Sequence, residues 1–130
     1  MSKGIKNQAI DRNAVRQEVP VDGTTGKPYI NTVAAVAIAP SGTGAELSVP
    51  VSQAIEVIRQ SGLPNETNAM FTNIEGDLDE VLRVVRDATL RLAGQGYRTS
   101  VSLKLDIRPG FTGQIHEKQE LVDRILAQKE

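Results

Sequence analysis

Cysteine and tryptophan are absent from this chain of 130 residues, which carries two Phe, two Tyr and a single His. Without cysteine there is no disulfide, no thiolate metal site and no cysteine nucleophile, and the composition fits a reducing cytoplasm. A lone histidine, His116, set among Glu117, Lys118 and Glu120, reads as a solvated side chain, and no transition-metal site is argued from it. So few aromatic rings exclude a large aromatic cage or a base-stacking platform. One sign of charge does not dominate either: 15 basic residues face 16 acidic ones, for a net charge of -1. No basic patch emerges from their order, so nucleic acid is not an expected partner. Apolar runs stop well short of the roughly 20 residues a bilayer requires, and the start Met1-Ser2-Lys3-Gly4-Ile5-Lys6 leads into polar sequence. A soluble, cytoplasmic protein without a membrane partner is the expectation. No nucleophile has a base beside it, and the chain is not expected to be an enzyme.

With 39% hydrophobic residues, the composition supports one domain with a modest core. Residues 1–31 mix both charges without a period and contain turn material at Asp22-Gly23, Gly26 and Lys27-Pro28. They read as an N-terminal arm, extended along another subunit or disordered, with the domain proper at 32–130. From Thr32 to Ala39 a small and β-branched run ended by Pro40 predicts a strand covered on both faces. Its larger residues Val36 and Ile38 point one way, and Ala35 and Ala37 the other. The Ser-Gly-Thr-Gly of residues 41–44 is a loop: it lacks the Gly-Lys-Ser/Thr ending of a phosphate cradle.

A helix is predicted after Ser48 as N-cap, with Val51, Ala54, Ile55 and Ile58 in one stripe, Gly62 at its end and Pro64 barring continuation. Glu66 to Met70 reads as a short strand turning near Phe71 into a second strand over 72–76. Asp77 and Glu80 form a capping-box pattern for a second helix with the stripe Leu78, Val81, Leu82, Val85, Ala88, Thr89 and Leu92, ended by Gly94. Tyr97 to Ile107 alternates strictly, as a half-covered strand does. Pro109-Gly110 is a turn, and Ile115, Leu121, Val122, Ile125 and Leu126 mark a third helix.

Strand, helix, strand, strand, helix, strand is the α+β order of a ferredoxin-like βαββαβ sandwich, here with an extra C-terminal helix and the N-terminal arm. In that topology both main helices cover one sheet face. If Ile74 meets them, then Phe71, Asn73 and Glu75 share the other face, beside Ser100, Ser102, Lys104 and Asp106 of the last strand. Ala35 and Ala37 would floor the space between two polar walls. Roofed by a second subunit, this becomes a pocket in which Glu75 accepts from an amine or a protonated ring nitrogen, Asn73 adds a donor and an acceptor, and Phe71 a stacking surface. Two plainer readings stand beside this one: Glu75 as a member of an ion network with Lys104, and Phe71 as core or interface filler.

The run Thr72-Asn73-Ile74-Glu75-Gly76-Asp77, the strand Val101-Ser102-Leu103-Lys104-Leu105-Asp106-Ile107-Arg108 and the opening strand into Ala39-Pro40 together resemble the thiamine-binding-like family of small ferredoxin-like proteins. The likeness covers about residues 32–126. It implies a non-enzymatic homo-oligomer, a dimer or tetramer, that needs no cofactor and binds thiamine or its hydroxymethylpyrimidine moiety between subunits. Thr72 and Glu75 lie within the matching motif, and Phe71 stands where many relatives carry Gly or Asn. The expected ligand-binding set is therefore Phe71, Thr72, Asn73, Glu75, Ser102 and Lys104. The alternative is a structural or regulatory homo-oligomer of the same fold with no ligand on that face.

Overall fold

The structure, a computed structural model, describes residues 13–41 and 47–128. Residues 1–12 of the expected arm and most of the Ser-Gly-Thr-Gly loop lie outside that range. The elements run β1 (Asn31–Pro40), α1 (Ser48–Gln60), β2 (Asn65–Thr67), β3 (Thr72–Asp77), α2 (Leu78–Ala93), β4 (Thr99–Ile107) and α3 (Gln114–Gln128). The four strands form one antiparallel sheet in the order β2-β3-β1-β4, the ferredoxin-like arrangement.

Side-chain size on β1 decides which face the helices take. Ala34, Val36 and Ile38 enter a core with Ile74 of β3, Ala54 and Ile58 of α1, and Val81, Val84, Val85, Ala88 and Leu92 of α2. Val33, Ala35, Ala37 and Ala39 alternate to the opposite face and stay half-buried. The α2 stripe buries Val81, Val85, Ala88 and Leu92 as expected, but Leu82 is exposed and Val84 is buried in its place. Leu82 sits about 100° around the helix from Val81, too far to reach the sheet.

Asp77 opens α2 as expected, its Oδ2 accepting from Asp79 N at 3.1 Å. Its other oxygen accepts from Ile30 N at 2.9 Å, tying the helix start to the chain that leads into β1. Ser48 does not cap α1: the helix begins at Ser48, and Leu47 occupies the cap position without a side-chain bond. Gly62 does follow the helix with φ +81°, a left-handed turn that suits glycine. Ahead of β1, residues 20–29 fold back on themselves through Tyr29 N to Pro20 O at 2.8 Å and Asp22 N to Lys27 O at 2.9 Å, and Tyr29 is buried.

The expected strand from Glu66 to Met70 is shorter, because Asn68 turns the chain. Its Oδ1 accepts from Met70 N at 3.2 Å and Phe71 N at 3.1 Å, closing a tight turn over 68–71. Pairing of β1 with β3 therefore ends at Val36↔Thr72, whereas pairing with β4 runs on to Pro40↔Thr99. Which edge each β1 residue serves follows from the bonds at the sheet ends. Arg108 N donates to Asn31 O and Ser41 N to Arg98 O, so odd-numbered residues face β4. Leu78 N donates to Ile30 O, so even-numbered residues face β3.

Candidate functional site

Glu75 stands on the sheet face opposite α1 and α2, in register with Val33, yet it is only 4% exposed. Its cover comes from its own chain. The loop after β4 brings the start of α3 over the carboxylate, where Gln114 N donates to Oε2 at 2.8 Å and Ile115 N to Oε1 at 3.0 Å. Asn31 Nδ2 adds a third bond to Oε2 at 2.9 Å. Free N–H groups at a helix start attract an anion, and here a carboxylate from a distant strand supplies it. Both oxygens of Glu75 are thereby engaged, and Lys104 is not among the partners that hold it.

The rest of the helix-free face is open. Asn73 and Asp106 border a cavity of about 500 Å³ under α3, with Arg108, Gln114, Glu117 and Leu121 on its rim. Arg108 crosses its mouth, bonded through Nε to Asp106 Oδ2 at 2.8 Å and through Nη1 to Gln114 Oε1 at 3.0 Å. Ser102 and Lys104 pair with Ala37 and Ala35, and both are exposed. The alanine floor between polar walls is present.

Phe71 and Thr72 do not join that group. They border a separate cavity of about 340 Å³ at the opposite end of β3, between α1, the free end of β1 and the 68–71 turn. Its walls are largely apolar, with Val36 and Ile38 from the sheet and Val51, Ile55 and Ile58 from the helix. Polar groups gather on one side, where Thr67 Oγ1 and Thr72 Oγ1 lie 3.1 Å apart and Asn68 holds the turn. A concave, largely apolar wall with a few directed polar groups is the usual form of a small-molecule site.

The six expected ligand-binding residues thus fall in three places: Phe71 and Thr72 at the hairpin cavity, Asn73, Ser102 and Lys104 on the helix-free face, and Glu75 beneath α3. Reading the residues one by one missed two contributors. Asn31 is 1% exposed because it supports Glu75, a pairing 44 positions apart that no local pattern reveals. The free end of β1 bordering the cavity did leave a trace, since the apolar run before Pro40 is longer than the one that precedes Asp77. Among the described residues there is no group of three or more His, Cys, Asp and Glu placed to hold a metal, and no helix is long and apolar enough to cross a membrane.

Comparison with known proteins agrees with this architecture. The family model described as thiamine-binding protein matches residues 34–123. The UPF0045 protein Mb1933 of Mycobacterium bovis is 41% identical over 102 residues, 78% of this chain and 100% of that protein. The solved structure of the hypothetical protein MJ1052 of Methanocaldococcus jannaschii superposes with a TM-score of 0.65 at 40% identity, over 72% of this chain and 96% of that one. A Thermotoga maritima protein, described as a candidate for thiamine biosynthesis or salvage, shares the fold at 22% identity and a TM-score of 0.60, over 69% of this chain and 98% of that one. A family match across most of the folded domain, reaching from β1 into α3, places this chain in the thiamine-binding protein family.

Proposed function

We propose that this protein is a non-enzymatic, cytoplasmic binding protein for thiamine or its hydroxymethylpyrimidine moiety. The observation that carries the reading is the hairpin cavity of about 340 Å³, large enough for a small heteroaromatic ligand and bordered by Thr72 of the family-like motif and by Phe71. Membership of the thiamine-binding protein family and the description of the Thermotoga relative support the choice of ligand class. In this reading Asn73, Ser102 and Lys104 belong to a face that a second copy covers in a homo-oligomer, and Glu75 sets the height of α3 above that face.

The test is calorimetric titration of thiamine and of hydroxymethylpyrimidine into the full chain. Saturable heat with at least one of them is expected, and binding weakened about tenfold or more in Ile55→Trp, which fills the cavity from α1. No heat with either ligand sinks the reading.

A second reading, a structural homo-oligomer without a ligand, is favoured by α3, whose Leu121, Val122, Ile125 and Leu126 are 45–57% exposed. Apolar stripes of that kind mark an interaction surface. It predicts an oligomer in solution together with an inert cavity.

A further inference from the structure

Ile38 sits where β1 has outrun its neighbour. Even-numbered residues of β1 turn their N–H and C=O towards β3, and the last such pairing is Val36↔Thr72. Continuing the register would set Met70 opposite Ile38, but Met70 N is turned to the side chain of Asn68 in the hairpin. Among the described residues nothing pairs with the Ile38 N–H or C=O on that edge. Ala37 and Ala39, whose side chains belong to the other sheet face, border the same cavity, so the edge of the β1 main chain forms part of its wall. Main-chain groups this well covered are almost always hydrogen-bonded, and Ile38 is only 7% exposed.

We infer that the Ile38 main chain is the recognition edge of the hairpin cavity, reading a planar heteroaromatic ring that presents a ring nitrogen next to an exocyclic amine. In an extended residue the N–H and C=O point the same way and close together, and a paired strand residue answers both at once. A 4-aminopyrimidine edge does the same: its ring nitrogen accepts from the Ile38 N–H while its amine donates to the Ile38 C=O. A peptide strand is a poorer occupant, because the next residue with this orientation is Pro40, which has no N–H to continue the ladder. The ring would lie against the apolar wall of Val51 and Ile55, with Thr72 and Thr67 hydroxyls available to its substituents. This assignment rests on the ligand class proposed above and adds which atoms of the protein select it.

Solution NMR of the full chain labelled with nitrogen-15 tests it. Titrating 4-amino-5-hydroxymethyl-2-methylpyrimidine is expected to move the Ile38 amide proton downfield and slow its exchange with solvent. The same ring lacking the 4-amino group should bind about tenfold or more weakly, since it leaves the Ile38 carbonyl unanswered. An unmoved Ile38 amide at saturation, or equal affinity for the two rings, overturns the inference. The two readings also fail separately. Thiamine binding that perturbs Asn73, Ser102 and Lys104 while leaving Ile38 unmoved keeps the proposed function and removes this edge. Engagement of Ile38 by plain 4-aminopyrimidine, with no heat from thiamine, does the reverse. Silence from every probe removes both.

Discussion

Glu75 shows how one side chain joins distant parts of a chain. It accepts from the side chain of Asn31 and from two main-chain amides of α3, so the first strand, the third strand and the last helix meet on one carboxylate. Replacing an oxygen by an amide nitrogen sets a donor against donors. Glu75→Gln should therefore cost about 1–3 kcal/mol. Chemical denaturation would read the loss, and faster amide exchange at Gln114 and Ile115 would localise it. The neighbouring Gly76 is constrained by space. A Cβ there would lie 3.2 Å and 3.3 Å from the terminal carbons of buried Leu63, closer than carbon atoms pack without shifting. Gly76→Ala is expected to destabilise by about 1–3 kcal/mol as an overpacked site. In a Leu63→Ala background most of that penalty should vanish, which a double-mutant cycle by thermal unfolding measures.

Among the elements, the β2–β3 hairpin governs the cavity. Asn68 curls the chain over 68–71, which ends β2 early, delays the start of β3 to Thr72 and leaves the last residues of β1 unpaired on that side. Asn68→Ala removes the acceptor for two amides, and exchange at Met70 and Phe71 should quicken while the α1–α2 core stays intact. Ligand affinity should fall with it; unchanged affinity would argue that the turn has no part in shaping the site. Helix α2 serves stability instead. Leu92 is fully buried beside Ala88, Val85 and Val81, and Leu92→Ala should lower stability by about 2–5 kcal/mol, as for other large-to-small changes in a core.

For the whole molecule, the uncovered surfaces belong together on the side that α1 and α2 leave free. An alanine floor lies beside exposed Ser102 and Lys104, and α3 carries four large apolar side chains, Leu121, Val122, Ile125 and Leu126, that stay about half-exposed. Burial of such a stripe contributes roughly 25 cal/mol per Å² removed from water, so a second copy is the expected cover. Light scattering on the full chain should report more than one protomer, and Val122→Asp with Leu126→Asp should lower the mass without unfolding the domain. A monomer at all concentrations would leave the helix-free face without its proposed roof.

The alternation of Val36 and Ile38 with Ala35 and Ala37, the Asp77 start of α2 and the period of its stripe are local patterns, and they were enough to settle the element order, the antiparallel sandwich and the face the helices take. Chain order also carried the likeness to a family. What local pattern could not reach was decided by contacts across long separations. Nothing in the order of residues says that α3 folds back onto Glu75, because its first amides find their acceptor about 40 positions away. Nor does composition reveal that Phe71 and Asn73, two residues apart, serve different cavities. Where a strand loses its partner depends on a turn in another strand, and only folding brings that turn beside Ile38.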